Sequence, residues 1–210
     1  MPTRAELGLP PALRMEDMPL EQRLEWEARQ CQAHWYRFVA ERCKGMTVLD
    51  VGAGGGYGMD ILRPAAWNVW GIDPGPCGPQ VAKIPLELIA SRGVDVAVAM
   101  DVIEHVGPTF GDAWEFLAHL LWVAREFVFF STPNYNWESA RLQNLHHFLE
   151  FTPGELLQMV RHFDTHDAFA SVELWMSDLD LAPVRVPWCE MKDAESRASF
   201  GVFVNVRKQR

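Results

Sequence analysis

Apolar positions along the chain follow two different spacings. From about Leu20 to Cys43 they recur among charged residues in the manner of a helix, which carries Leu24, Trp35, Phe38 and Val39. Beyond Gly45 short apolar runs take over. "TVLDV" (Thr47 to Val51), "NVWGID" (Asn68 to Asp73), "VDVAVAM" (Val94 to Met100) and "EFVFFST" (Glu126 to Thr132) read as strands, and a helical pattern from Phe110 to Ala124 separates the last two. Strands alternating with helices imply parallel βαβ units, whose ligands bind at the carboxyl ends of the strands. No internal repeat or low-complexity stretch interrupts this order.

Bulk properties narrow the picture. The 210 residues, 49% of them hydrophobic, suffice for one substantial core and one domain. A net charge of −9 argues against a broad surface for nucleic acid or anionic membrane, which would need a positive footprint. Cys31, Cys43, Cys77 and Cys189 lack CxxC spacing, so neither a disulfide framework nor a zinc site is expected. No apolar run approaches the ~20 residues that span a bilayer, and "MPTRAELGLPPALRMED" has no signal-peptide core. A soluble, cytoplasmic protein is the expectation.

The chemistry begins where the first strand ends. Asp50 stands next to last in "TVLDV" and is followed by Gly52, Gly54 and Gly56 on a strand-to-helix turn. Without a Cβ the backbone can take positive φ and let a ligand lie on the main chain, beside the N–H groups that open the next helix. A mononucleotide-like ligand is implied. The dinucleotide spacing fails, because Tyr57 or Met59 stands where its last glycine belongs, and a Walker A lysine is missing. A purely structural turn is the alternative. Asp73 weighs against it: it ends the second strand about 20 residues beyond Gly52, the offset at which a carboxylate receives two ribose hydroxyls. Its own alternative is turn formation before Pro74.

Taken in order, "VLDVGAGGGYG", "GID", "VAMDVIEHV", "FVFFSTPN" and "HHFLEFTPGEL" resemble class I S-adenosylmethionine-dependent methyltransferases, especially small-molecule enzymes with a Glu-His pair after the fourth strand. The resemblance runs from about Met46 to the C-terminus. It implies a Rossmann-like α/β fold: a seven-stranded, mostly parallel sheet with an antiparallel C-terminal strand and helices on both faces. "SVELWM" and "FGVFVNVRKQ" would form the closing hairpin. S-adenosylmethionine is the implied cofactor, held by Asp50, Gly52, Gly54, Gly56, Asp73, Met100 and Asp101. Residues 1–45 would be a helical segment covering the site, and residues 46–210 the methyltransferase domain. One departure is plain. Between Asp73 and Val94 the family's crossover helix, third strand and second helix have little room among prolines and glycines. Leu86 or Glu87 would then supply the adenine pocket, unless "IPLELI" is only a short buried segment.

Glu104 and His105 read either as residues fixing the next loop or, for His105, as a group near the transferable methyl. Trp67, Trp70, Trp114, Trp122, Trp175 and Trp188 read mostly as core. The segment after the fifth strand concentrates Asn134, Tyr135, Asn136, Trp137, His146 and His147, a mixture suited to a polar small-molecule acceptor. His146 or His147 is the best general-base candidate, and adjacent histidines on a helix point about 100° apart, so one would face the chamber. Thr152, Pro153 and Glu155 spell a helix start. Methyl transfer to oxygen, nitrogen or carbon of a small metabolite is therefore expected. No nucleic-acid partner is expected, given the acidic balance and the absence of the Asn/Asp-Pro-Pro-aromatic run of base-flipping enzymes; no membrane partner and no metal are expected either. A non-catalytic cofactor-binding protein and another nucleotide-binding Rossmann enzyme are the alternatives.

Overall fold

A computed structural model of the protein describes residues 32–134, 147–164, 169–177, 183–186 and 199–206. Thr47–Val51 (β1), Asn68–Ile72 (β2), Val94–Met100 (β3) and Ala124–Pro133 (β4) lie parallel in the order β2-β1-β3-β4. Phe169–Ser177 (β5), Val184–Val186 (β6) and Ser199–Val206 (β7) extend the sheet as β4-β7-β5-β6, each step antiparallel. The seven-stranded, mostly parallel sheet is the one the sequence implies.

Side-chain alternation along the strands fills two cores. Val48, Val96, Val98, Met100 and Phe129 face the helices Ala33–Ala40 (α1) and Tyr57–Leu62 (α2), where Trp35, Phe38, Met59 and Leu62 meet them. Leu49, Ala97, Ala99, Val128 and Phe130 face Phe110–Val123 (α3) and Pro153–Asp164 (α4), with Leu117, Leu120 and Leu156. Burying each such large side chain stabilises by about 1.5–3 kcal/mol. Asp95, the one polar residue of β3, sits where the ladder slips register between Val94 and Val96. Its carboxylate accepts from Thr47 N–H at 2.8 Å and Thr47 Oγ1 at 2.7 Å, so β1 and β3 are tied at their entry ends.

Two helix starts carry reciprocal caps. Thr152 and Glu155 form one, as the sequence indicates, and Thr109 with Asp112 forms another before α3. On the opposite face, Gly201 of β7 leaves space for aromatic rings. A Cβ there would stand 2.5 Å from Phe129 Cζ and 2.7 Å from Trp35 Cζ3.

Several expectations need adjusting. The expected first helix begins outside the described residues, and its described part ends at Ala40 rather than Cys43. The missing third strand shrinks to a single parallel bridge between Ile72 and Ala82. The seventh strand is instead β6, on the far edge. Among the described residues little covers β2, and Trp67, just before it, is 80% and Trp70 45% exposed, against the expectation of core. Trp122 is also exposed, while Trp114 and Trp175 pack partly against the cores and Trp188 lies outside the described residues. A groove of about 420 Å³, lined by Met59, Trp70, Gln80, Ile84 and Val94 among others, follows that edge. Among the described residues, no helix is long and apolar enough to cross a membrane.

Candidate active site

The turn after β1 takes the backbone form its glycines allow. Gly52, Gly54 and Gly56 have φ of +72°, +49° and +84°. At Gly52 the neighbour that forbids a side chain is the chain itself: a Cβ would lie 2.5 Å from Val102 Cγ2. The segment replacing the crossover helix closes over the other side, where Gly78 N–H donates to Gly54 O at 2.8 Å and Gln80 Nε2 to Gly56 O at 3.3 Å.

Asp73 stands just beyond β2 and joins the two strand ends. Its Oδ2 accepts from Gly54 N–H at 3.0 Å, and its Oδ1 accepts from Gly75 N–H at 2.7 Å. Asp73 therefore makes the turn before Pro74, and each of its oxygens retains a lone pair beyond these backbone contacts.

Asp50 is fully buried under α1. Tyr36 Oη donates to it, 3.0 Å from Oδ1 and 3.2 Å from Oδ2. Burial raises the Asp50 carboxyl to about 7, with the Tyr36 hydrogen bond opposing and the charge of Asp73 adding to the rise. Burial and the neighbouring Asp50 hold the Tyr36 phenol well above its usual range. Gly58 lets that ring approach, since a Cβ would fall 2.0 Å from Tyr36 Cζ.

At the end of β3, Met100 is buried and its carbonyl accepts from Gln32 Nε2 at 3.1 Å. Asp101 follows with φ of +51°, an uncommon conformation for a residue with a side chain. Ser131 Oγ donates to Asp101 Oδ1 at 2.6 Å, and burial raises the Asp101 carboxyl to about 6 against the Ser131 and Gln32 hydrogen bonds. The short turn Ile103–His105 comes next. Glu104 is buried, accepts from Thr132 Oγ1 at 3.2 Å, and is held well above the usual carboxylate range by burial and then by the charge of Asp101. The His105 ring lies 4.7 Å from that of His147, edge to face, so residues distant in sequence share one corner.

The remaining expected residues separate. Leu86 is buried in the core on the α3 side, and Glu87 is exposed. Asn134 is buried and bridges Phe151, whereas Tyr135, Asn136, Trp137 and His146 lie outside the described residues. Tyr36, Gln32 and Glu150 join the site without having been read from the sequence. For Glu150 a signal existed, because it follows His147 by three positions and its Oε1 lies 3.0 Å from His147 Nδ1.

A glycine turn after β1, an acid after β2 and polar groups after β3, all at the carboxyl ends of neighbouring parallel strands, are the arrangement of a nucleoside-cofactor enzyme of the Rossmann type. Residues 23–176 match the family described as "Methyltransferase domain". The protein therefore belongs to the class I, S-adenosylmethionine-dependent methyltransferase family. A ubiquinone biosynthesis O-methyltransferase of Paramagnetospirillum magneticum is 32% identical over 46% of this chain and 44% of its own length. The chain thus spans less than half of the curated relatives it matches. Its fold is shared with a small RNA methyltransferase (TM-score 0.64, 18% identity, 85% of this chain and 26% of that one). It is also shared with an S-adenosylmethionine-dependent methyltransferase of Archaeoglobus fulgidus (TM-score 0.61, 13% identity, 87% and 94%).

Proposed function

We propose that the protein transfers the methyl group of S-adenosylmethionine to a small-molecule acceptor. The observation that carries this reading is the 3.0 Å contact between Gly54 N–H and Asp73, which brings the glycine turn and the strand-two acid together at neighbouring strand ends. Asp73 receives the ribose hydroxyls, the turn with Asp50 beneath it faces the methionine portion, and Met100 and Asp101 flank the adenine and sulfonium. Leu86 belongs to the adenine side. Residues 1–45 cover the site and residues 46–210 form the catalytic domain, a division supported by Gln32 and Tyr36 reaching over β3 and β1.

The reaction asks little of side chains. The acceptor's lone pair attacks the methyl carbon, the carbon–sulfur bond breaks with its electrons to sulfur, and alignment of the three atoms supplies much of the acceleration. An oxygen or nitrogen acceptor also loses a proton, and His105 and His147 offer imidazoles on the acceptor side to receive it, with His146 the adjacent candidate. A small acceptor is favoured by the net charge of −9, which repels polynucleotides, and by the similarity to a ubiquinone biosynthesis O-methyltransferase. Cys43 and Cys77 are free thiols, which suits a reducing cytoplasm.

Calorimetry with S-adenosylhomocysteine and labelled-methyl uptake from cell extracts test the reading. Saturable binding in preference to NAD, with label in small phenols, amines or acids, is expected. His147→Ala should lower turnover about 10²-fold while leaving S-adenosylhomocysteine affinity intact. Label entering RNA or DNA at comparable rates would reassign the acceptor.

A further inference from the structure

The corner beyond β3 holds more chemistry than a sulfonium requires. Glu104 is fully buried, yet only one of its oxygens is engaged: Oε2 accepts from Thr132, whereas Oε1 has no hydrogen-bond partner. A bare carboxylate oxygen away from water is unfavourable unless a proton or a cation meets it. Two imidazoles face this group. One ligand atom from each of Glu104, His105 and His147 lies within 4.8 Å of the others.

The three residues are also held from behind. The Glu104 carbonyl accepts from Phe148 N–H at 2.9 Å and Leu149 N–H at 3.2 Å, which locks the segment bearing His147 onto the turn bearing Glu104. His147 Nδ1 is paired with Glu150 Oε1. Donation of the Nδ1 proton to that carboxylate fixes the tautomer and leaves the Nε2 lone pair available. A carboxylate behind a histidine is the usual outer support of a metal ligand.

We propose that Glu104, His105 and His147 bind one divalent transition-metal cation beside the methyl-transfer cleft, with Glu150 orienting His147. Two imidazoles and one carboxylate suit zinc, manganese, iron or cobalt rather than calcium or magnesium, which favour all-oxygen sets. Ligand atoms around a tetrahedral ion with bonds of ~2.1 Å stand about 3.4 Å apart, so side-chain rotations of roughly an ångström complete the cage. Three protein ligands leave a coordination position open. On the proposed methyltransferase reading, that position takes an oxygen of the acceptor and eases its deprotonation, a task the ion then assumes from the imidazoles. This proposal departs from the sequence expectation of a site without metal.

Tag-free protein, stripped with chelator and desalted, is titrated with Co²⁺ alone and followed by calorimetry and by visible absorption of the coordinated ion. One ion per chain is expected. Glu104→Gln keeps the side chain's shape and should weaken binding at least tenfold, as should His147→Ala, and Glu150→Gln should weaken it by about 10- to 100-fold. S-adenosylhomocysteine affinity, measured on the same metal-free samples, reports the cofactor cleft separately, so a failed metal site and a failed methyltransferase reading give different results. Absence of saturable one-to-one binding, or binding unchanged in both Glu104→Gln and Glu150→Gln, overturns the proposal even if His147→Ala fails to fold.

Discussion

Tyr36 on α1 and Asp50 on β1 share a single phenolic hydrogen, with Oη within 3.2 Å of both carboxylate oxygens. Through this contact the first described helix is fixed to the root of the glycine turn. Tyr36→Phe removes the donor and leaves a buried carboxylate without it, so stability should fall by about 1–3 kcal/mol. Adding Asp50→Asn to that variant removes the charge and should recover part of the loss. A double-mutant cycle from urea unfolding gives the coupling, and strict additivity would mean that the bond does not hold the helix.

The same carboxyl sets a pH dependence. Asp50 titrates at about 7 in the folded protein, whereas an unfolded aspartate titrates near ~3.9. The folded state therefore binds the extra proton between these values, and Asp50's contribution to stability is full below about pH 4 and is lost as pH rises through about 7. Asp50→Asn should gain stability relative to the parent across that window. Urea midpoints at pH 4.5, 6 and 8 check the sign; a gap constant with pH would contradict the raised value.

At the glycine turn, strain and crowding can be separated. Gly52→Ala places a methyl group both at positive φ and against Val102, with an expected loss of about 1–3 kcal/mol from overpacking and about 1–2 kcal/mol from the backbone. Val102→Ala in the same chain relieves only the first part. Thermal unfolding of the single and double variants should show partial recovery; none would indicate that the methyl finds room elsewhere.

Asp73 joins turn and ligand, so its replacement should act on both. Asp73→Ala is expected to weaken S-adenosylhomocysteine by about 1–3 kcal/mol, the scale of hydrogen bonds to a charged group. An adenosine titration supplies the control: the loss should be similar if the ribose is what Asp73 holds, and an undiminished affinity for adenosine would place the ribose elsewhere.

What could be read from the chain was whatever short-range chemistry decides. "TVLDV" and "VDVAVAM" become strands with the same bounds because each is a buried apolar run closed by turn residues. Thr152 and Glu155 cap as their spacing requires, and the positive φ of Gly52, Gly54 and Gly56 follows from their lack of Cβ. The absence of a full third strand was visible as a shortage of residues. Its consequence, the exposure of Trp67 and Trp70, was not, since large aromatic residues read as core wherever the covering layer is assumed. Nor could the meeting of Glu104 and His105 with His147 be read, because backbone hydrogen bonds between residues more than forty positions apart create it. Short β6 carries too few residues for any periodicity to declare itself.

Strand β7 lies between β4 and β5, and residues such as Phe130 and Val202 become partners only after the intervening chain has been made. A ribosome thus extrudes β4, with Phe127, Val128, Phe129 and Phe130, long before its neighbour exists. During that interval two sticky edges, β4 and β5, await the same insert. Unpaired strand edges are open to wrong partners until they are filled, and here that filling is complete only when β7 pairs with both and Gly201 sits beneath Trp35 and Phe129.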